Sequence, residues 1–174
     1  MNDVLGRLSH RQLELIDRWF PGVVVEQDHS WGQVERAVLE VVHGDSRFIV
    51  KAGGESDHHI GREIRAHLSW LDPWVTRGRA PVLVHHDLDA ILLVTTYLPG
   101  RLVLDSPYAD DPAVHAQAGE LLAALHGQAS VVDADYETTA NERALAWLDG
   151  PHTIAADVEE RLRSEIASLS LIHI

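Results

Sequence analysis

Lys51 is the only lysine in the chain; every other permanent positive side-chain charge is arginine, accompanied by twelve histidines. It stands in the apolar run "RFIVKA" (47–52). Strand alternation there puts Phe48 and Val50 on one face, and Arg47, Ile49 and Lys51 on the other. Burial penalises a charged ammonium, so a lysine facing a core must meet an anion or stay half exposed. Glu63, in the middle of "IGREIRAHLSWL" (60–71), supplies such an anion from the segment that follows. A carboxylate there can hold the ammonium, whose compact charge rides on a stem long enough to leave a strand.

A second constellation lies on the same segment. His59, Glu63 and His67 fall at i, i+4 and i+8, one helix face that could in principle ligate a metal. Three residues spread over two turns rarely converge on one ion, and Ile60 and Ile64 flank them, so no metal site is assigned. His58-His59 and His85-His86 lack ligand spacing. Asp105, Asp110 and Asp111 could form an acidic docking face, although a solvated loop and helix cap explains them as well.

The elements that position these residues can be read from periodicity. Ser9 followed by Gln12 is a capping-box pattern, which starts a helix at His10. Leu13, Ile16 and Trp19-Phe20 form its buried side, and Pro21-Gly22 ends it. The runs "GVVVEQ" (22–27), "QVERAVLEVV" (33–42) and "RFIVKA" (47–52) read as a three-stranded antiparallel meander, with "HGDS" (43–46) as a turn. From about Asp57 to Leu71, Ile60, Ile64, Leu68 and Leu71 share one face at helical spacing, and Asp72-Pro73 stops the segment. "APVLVHH" (80–86) and "AILLVTTYL" (90–98) predict two more strands. Beyond Pro99-Gly100 only helices are expected: one capped by Asp111 with Pro112 in its first turn, then segments near 139–148 and 153–167. Val114, Ala118, Leu121, Leu122 and Leu125 form the apolar stripe of the first.

Composition bounds the function. The chain has 174 residues, 45% hydrophobic and 24% charged, which is ordinary globular usage. A formal net charge of −13 argues against a binder of nucleic-acid backbones, since no basic stripe exists to displace counterions. With no cysteine there is neither a disulfide scaffold nor a thiolate zinc site. The N-terminus lacks the apolar core of a signal peptide, and no apolar run approaches the roughly 20 residues that span a bilayer. A cytoplasmic protein without membrane or nucleic-acid partners is expected.

Four stretches together resemble the aminoglycoside phosphotransferase and choline-kinase-like branch of the protein-kinase fold: "RFIVKA" with Lys51, "IGREIRAHLSWL" with Glu63, "LLVTTYLPGRLV" (92–103) and "AGELLAALHG" (118–127). The match covers roughly residues 22–130, and its specificity lies in the order and spacing of the set. The resemblance implies an α+β, protein-kinase-like fold: a five-stranded antiparallel nucleotide-binding lobe (1–98) with one inserted helix, then the first helices of an incomplete helical lobe (99–168). It also implies the contacts. Lys51 reaches the α- and β-phosphates of ATP, Glu63 orients Lys51, and the Thr96 carbonyl and Leu98 amide read adenine along a hinge. Ser30 and the amides near Gly32 lie in the loop 28–32, where the family covers the phosphates. That loop lacks the G-x-G-x-x-G signature of protein kinases, from which this branch often departs.

The catalytic loop H-G-D-x-x-x-x-N of such enzymes has no counterpart. "HGDSRFIV" (43–50) and "HHDLDAIL" (85–92) imitate its start, but Val50 and Leu92 stand where the metal-binding asparagine belongs, and both precede the hinge. The expectation is therefore the ATP-binding part of a small-molecule kinase that acts on a substrate hydroxyl with Mg²⁺. Its Mg²⁺ ligands are absent from this chain, which is expected to be inactive alone. A non-catalytic kinase-fold interaction module is the alternative. "LSLIHI" (169–174) abandons the preceding helical pattern and reads as an in-frame translation of CTGTCTCTTATACACATC, which looks like a transposon-derived sequencing adapter. It is expected to be a non-native tail.

Overall fold

The helix expected from Ser9 and Gln12 forms as α1 (His10–Trp19). Its capping box is complete: Gln12 N–H donates to Ser9 Oγ at 3.3 Å, and Ser9 N–H donates to Gln12 Oε1 at 2.8 Å. The computed structural model describes residues 6–31 and 36–168; the tail at 169–174 lies outside them. By internal contacts the chain divides into two compact units, Met1–Ala129 and Ser130–Ile174. The architecture is α+β.

The first unit is built on a five-stranded sheet of β1 (Val24–Asp28), β2 (Arg36–His43), β3 (Ser46–Gly53), β4 (Leu83–Asp87) and β5 (Leu92–Thr96). Its order is β1-β2-β3-β5-β4, with every neighbouring pair antiparallel. The β2–β3 hairpin turns on Gly44 and Asp45 between the paired His43 and Ser46. Gly44 takes φ 60°, which an L side chain there would oppose. Between β3 and β4 come α2 (His59–Ser69) and a single helical turn, α3 (Asp72–Val75). α2 ends at Ser69 with Trp70 as its C-cap, before Asp72-Pro73, which opens a further helical turn rather than stopping one, because proline at the start of a helix forfeits no hydrogen bond. After β5 comes α4 (Pro112–His126), N-capped by Asp111, whose Oδ1 accepts from Ala113 N–H at 2.8 Å.

The sheet has two differently covered faces. Val50, Ala52, Leu39, Val41, Leu92 and Val94 bury against Ile16 of α1 and Phe20 at its C-cap. On the opposite face Ile60 and Ile64 of α2 bury against Leu93. The α2 stripe is shorter than its periodicity suggests, since Leu68 is exposed. The stripe read on α4 is not buried either: that helix has no buried residue. It is tied by Trp74, whose Nε1–H donates to Leu121 O at 2.6 Å.

The second unit contains α5 (Tyr136–Leu148) and α6 (Ala156–Ser168). Arg163 joins Glu159 at 2.8 Å and Asp149 at 3.0 Å, and the Trp147 and His152 rings stack at 5.7 Å. Among the described residues no helix is long and apolar enough to cross a membrane.

Candidate functional site

Lys51 lies in β3, paired across the sheet with Val38 on one side and Leu93 on the other. Directly opposed residues share a face. Val38, Glu40 and Val42 of β2 therefore lie beside Lys51, Ile49 and Arg47 of β3, on the side that α2 covers only in part. From α2, Glu63 approaches the same place. Lys51 Nζ donates to Glu63 Oε1 at 2.6 Å, and the two side chains keep 29% and 33% exposure. The ammonium is thus held by a carboxylate while part of it still faces solvent, so it can accept a further anionic partner.

His67, one turn beyond Glu63, is half-buried beside this pair. Burial holds its imidazole below the usual histidine range, the Glu63 carboxylate opposes that, and the Lys51 charge reinforces it. Among the described residues no three or more His, Asp or Glu side chains are grouped to hold a metal ion. His58 and His59 stack on each other at 4.2 Å.

Further along β3, Thr96 pairs with Phe48, three residues from the Lys51–Leu93 pair and about 10 Å at strand rise, so its side chain lies on the opposite face from Lys51 while its backbone continues the same edge of β5. Thr96 N–H donates to Val82 O, and its hydroxyl accepts from Val82 N–H, both at 2.9 Å. Tyr97 N–H donates to Arg47 O at 3.0 Å. Leu98 then leaves the sheet, 42% exposed, and among the described residues no hydrogen bond uses its amide.

Between the two ends lies a cluster that sequence reasoning did not single out. Glu40 is buried, with Arg47 Nη1 at 2.9 Å from Oε1 and His29 Nε2 at 3.2 Å from Oε2. Its only sequence signal is a charged residue on a strand of otherwise apolar character, and that does not name its partners.

The loop after β1 is built on Asp28 and Ser30. Asp28 Oδ1 accepts from Ser30 N–H at 2.8 Å, and Ser30 Oγ accepts from Val38 N–H at 2.9 Å. The Ser30 side chain, then its amide, hold the Asp28 carboxyl below the usual range against the effect of burial; Arg7 adds to this. The Ser30 hydroxyl thereby helps close its own loop, accepting from Val38 and supporting the Asp28 carboxylate. Gly32 lies outside the described residues.

The two sequence imitations of a catalytic loop have structural employment. Asp45 sits in the β2–β3 turn, at the opposite end of β3 from Lys51. Asp87 Oδ1 accepts from Ala90 N–H at 2.7 Å and Asp87 Oδ2 takes Arg11 at 3.3 Å; the Ala90 bond is the main reason its carboxyl titrates low. No family model, no curated protein and no solved structure matches the chain.

Proposed function

We propose that the first unit binds ATP as the nucleotide-binding lobe of a small-molecule phosphotransferase, similar to the aminoglycoside phosphotransferase and choline-kinase-like enzymes. The observation that carries the reading is the Lys51–Glu63 pair, 2.6 Å long and still partly open, between a central strand and the helix inserted after it. On this reading Lys51 meets the α- and β-phosphates and Glu63 keeps it from swinging away. A nucleoside laid along β3 reaches from Lys51 toward Thr96 and Leu98, where the Leu98 amide donates to adenine and the Thr96 carbonyl accepts from it. Val38 and Ile49 supply the apolar surface between the two ends.

Mg²⁺ bound with the nucleotide would neutralise charge on the phosphates. The asparagine and second aspartate that hold it in such enzymes have no counterpart in this sequence, so the chain alone binds ATP without transferring its γ-phosphoryl group to a hydroxyl.

Calorimetric titration of ATP into the wild type and Lys51→Ala tests the reading. Losing a charge-assisted contact to phosphate weakens binding by about tenfold or more. Equal affinity of the two proteins, or no heat from the wild type at millimolar ATP, contradicts it and favours a fold used for interaction without nucleotide.

A further inference from the structure

Lys51 and Glu63 come from different elements, and something must fix the angle between them. The apolar contact of α2 with the sheet rests on Ile60 and Ile64 against Leu93. Such contact is non-directional and leaves the helix free to rock. The directional bonds are made by Asp57. Its Oδ1 accepts from His59 N–H at 2.8 Å and from Ile60 N–H at 3.0 Å, which satisfies two orphan donors of the first helical turn. His58, at the N-cap position, makes no side-chain cap bond. Asp57 Oδ2 receives both Nε and Nη2 of Arg36 at 2.7 Å. Arg36 is in turn paired across the sheet with Gly53, two residues beyond Lys51.

Gly53 makes this approach possible: a Cβ built there would lie 2.6 Å from Asp57 Cβ. Only 9% of the Asp57 side chain and 28% of the Arg36 side chain remain exposed, so solvent competes little for these bonds. One carboxylate therefore joins the end of the strand that carries Lys51 to the start of the helix that carries Glu63.

We propose that Asp57, clamped by Arg36, is the positioning residue that sets α2 so that Glu63 meets Lys51. Its geometry stands by itself, and its purpose rests on the ATP-binding reading above.

The single lysine makes a direct test possible. With lysine labelled at 13Cε, the 174-residue chain gives one ε-carbon NMR signal, which reports the surroundings of the ammonium without any nucleotide. Glu63→Gln moves that signal. Asp57→Ala is expected to move it in the same direction, and to add nothing further in the Glu63→Gln background. ATP affinity measured in parallel falls about tenfold in Asp57→Ala, and Asp57→Ala costs nothing more once Lys51→Ala is present. Gly53→Ala and Arg36→Ala disturb the same carboxylate without removing it, and they stand in if Asp57→Ala fails to fold.

An unmoved lysine signal in these variants overturns the proposal, as does an Asp57→Ala effect that simply adds to that of Glu63→Gln. Either result reduces Asp57 to an ordinary helix cap. If the signal moves as expected but the wild type does not bind ATP, the positioning role stands and the nucleotide reading alone falls.

Discussion

At the scale of single residues, the use of lysine at position 51 has a physical reason. At this position one compact charge on a flexible stem touches Glu63 at 2.6 Å, and the side chain keeps 29% exposure. A guanidinium keeps the charge but is planar and broader, and its donors spread in a fixed fork. Lys51→Arg is therefore expected to lose ATP affinity about as far as Lys51→Ala does, roughly tenfold, in the same calorimetric titration. His67 gives a prediction in pH. Its imidazole is held below the ordinary histidine range, so the unfolded chain takes up its proton at a higher pH than the folded one. The resulting stability is complete above the unfolded value near 6.5 and is lost as pH falls from there through the folded value. His67→Leu should flatten that part of the curve relative to the wild type in urea unfolding across this range. An unchanged slope would mean that burial does not select the neutral ring.

At the scale of elements, α1 is locked to the sheet by one amide. Buried Gln12 completes the capping box with Ser9 and also donates through Nε2 to Ala90 O at 2.7 Å and Gly53 O at 3.0 Å. Gln12→Ala leaves those buried carbonyls without their donor and removes half the cap. A loss of about 2–4 kcal/mol in urea unfolding is expected, and a loss below about 0.5 kcal/mol would show that water replaces the amide without penalty. The capping box was legible in the sequence because it is local; the two long-range bonds were not. The same division holds at the site. Strand alternation shows that Lys51 shares a face with Ile49, and helical spacing shows that Glu63 follows Ile60 toward the sheet. Arg36 and Asp57 carry no such signal, because their meeting depends on the β2–β3 register and on the absence of a Cβ at Gly53. Glu40 was illegible for a related reason: its partners Arg47 and His29 come from two other segments. The α4 helix was legible, but helical period shows which residues align and not what covers them, and its stripe is left without a buried residue.

At the scale of the whole molecule, the residues of the proposed nucleotide site all fall within the unit Met1–Ala129. Val131 and Val132, just beyond it, are 84% and 96% exposed. Exposed connecting segments of this kind are where proteases cut first. Limited digestion with elastase should cleave there, and the larger product should keep ATP affinity within about threefold of the intact chain. A larger loss would assign part of the binding surface to residues 130–174. The net charge of −13 leaves Lys51 as a local exception in an acidic molecule, so a polyanion must find it by shape and pairing rather than by long-range attraction. The most direct test of the central claim follows the 13Cε signal of Lys51 while ATP is added, with adenosine as the control that lacks phosphate. The account predicts a saturable shift with ATP, little or none with adenosine, and the loss of that shift in Glu63→Gln. A Lys51 signal that ignores millimolar ATP, or moves equally with adenosine, would contradict it.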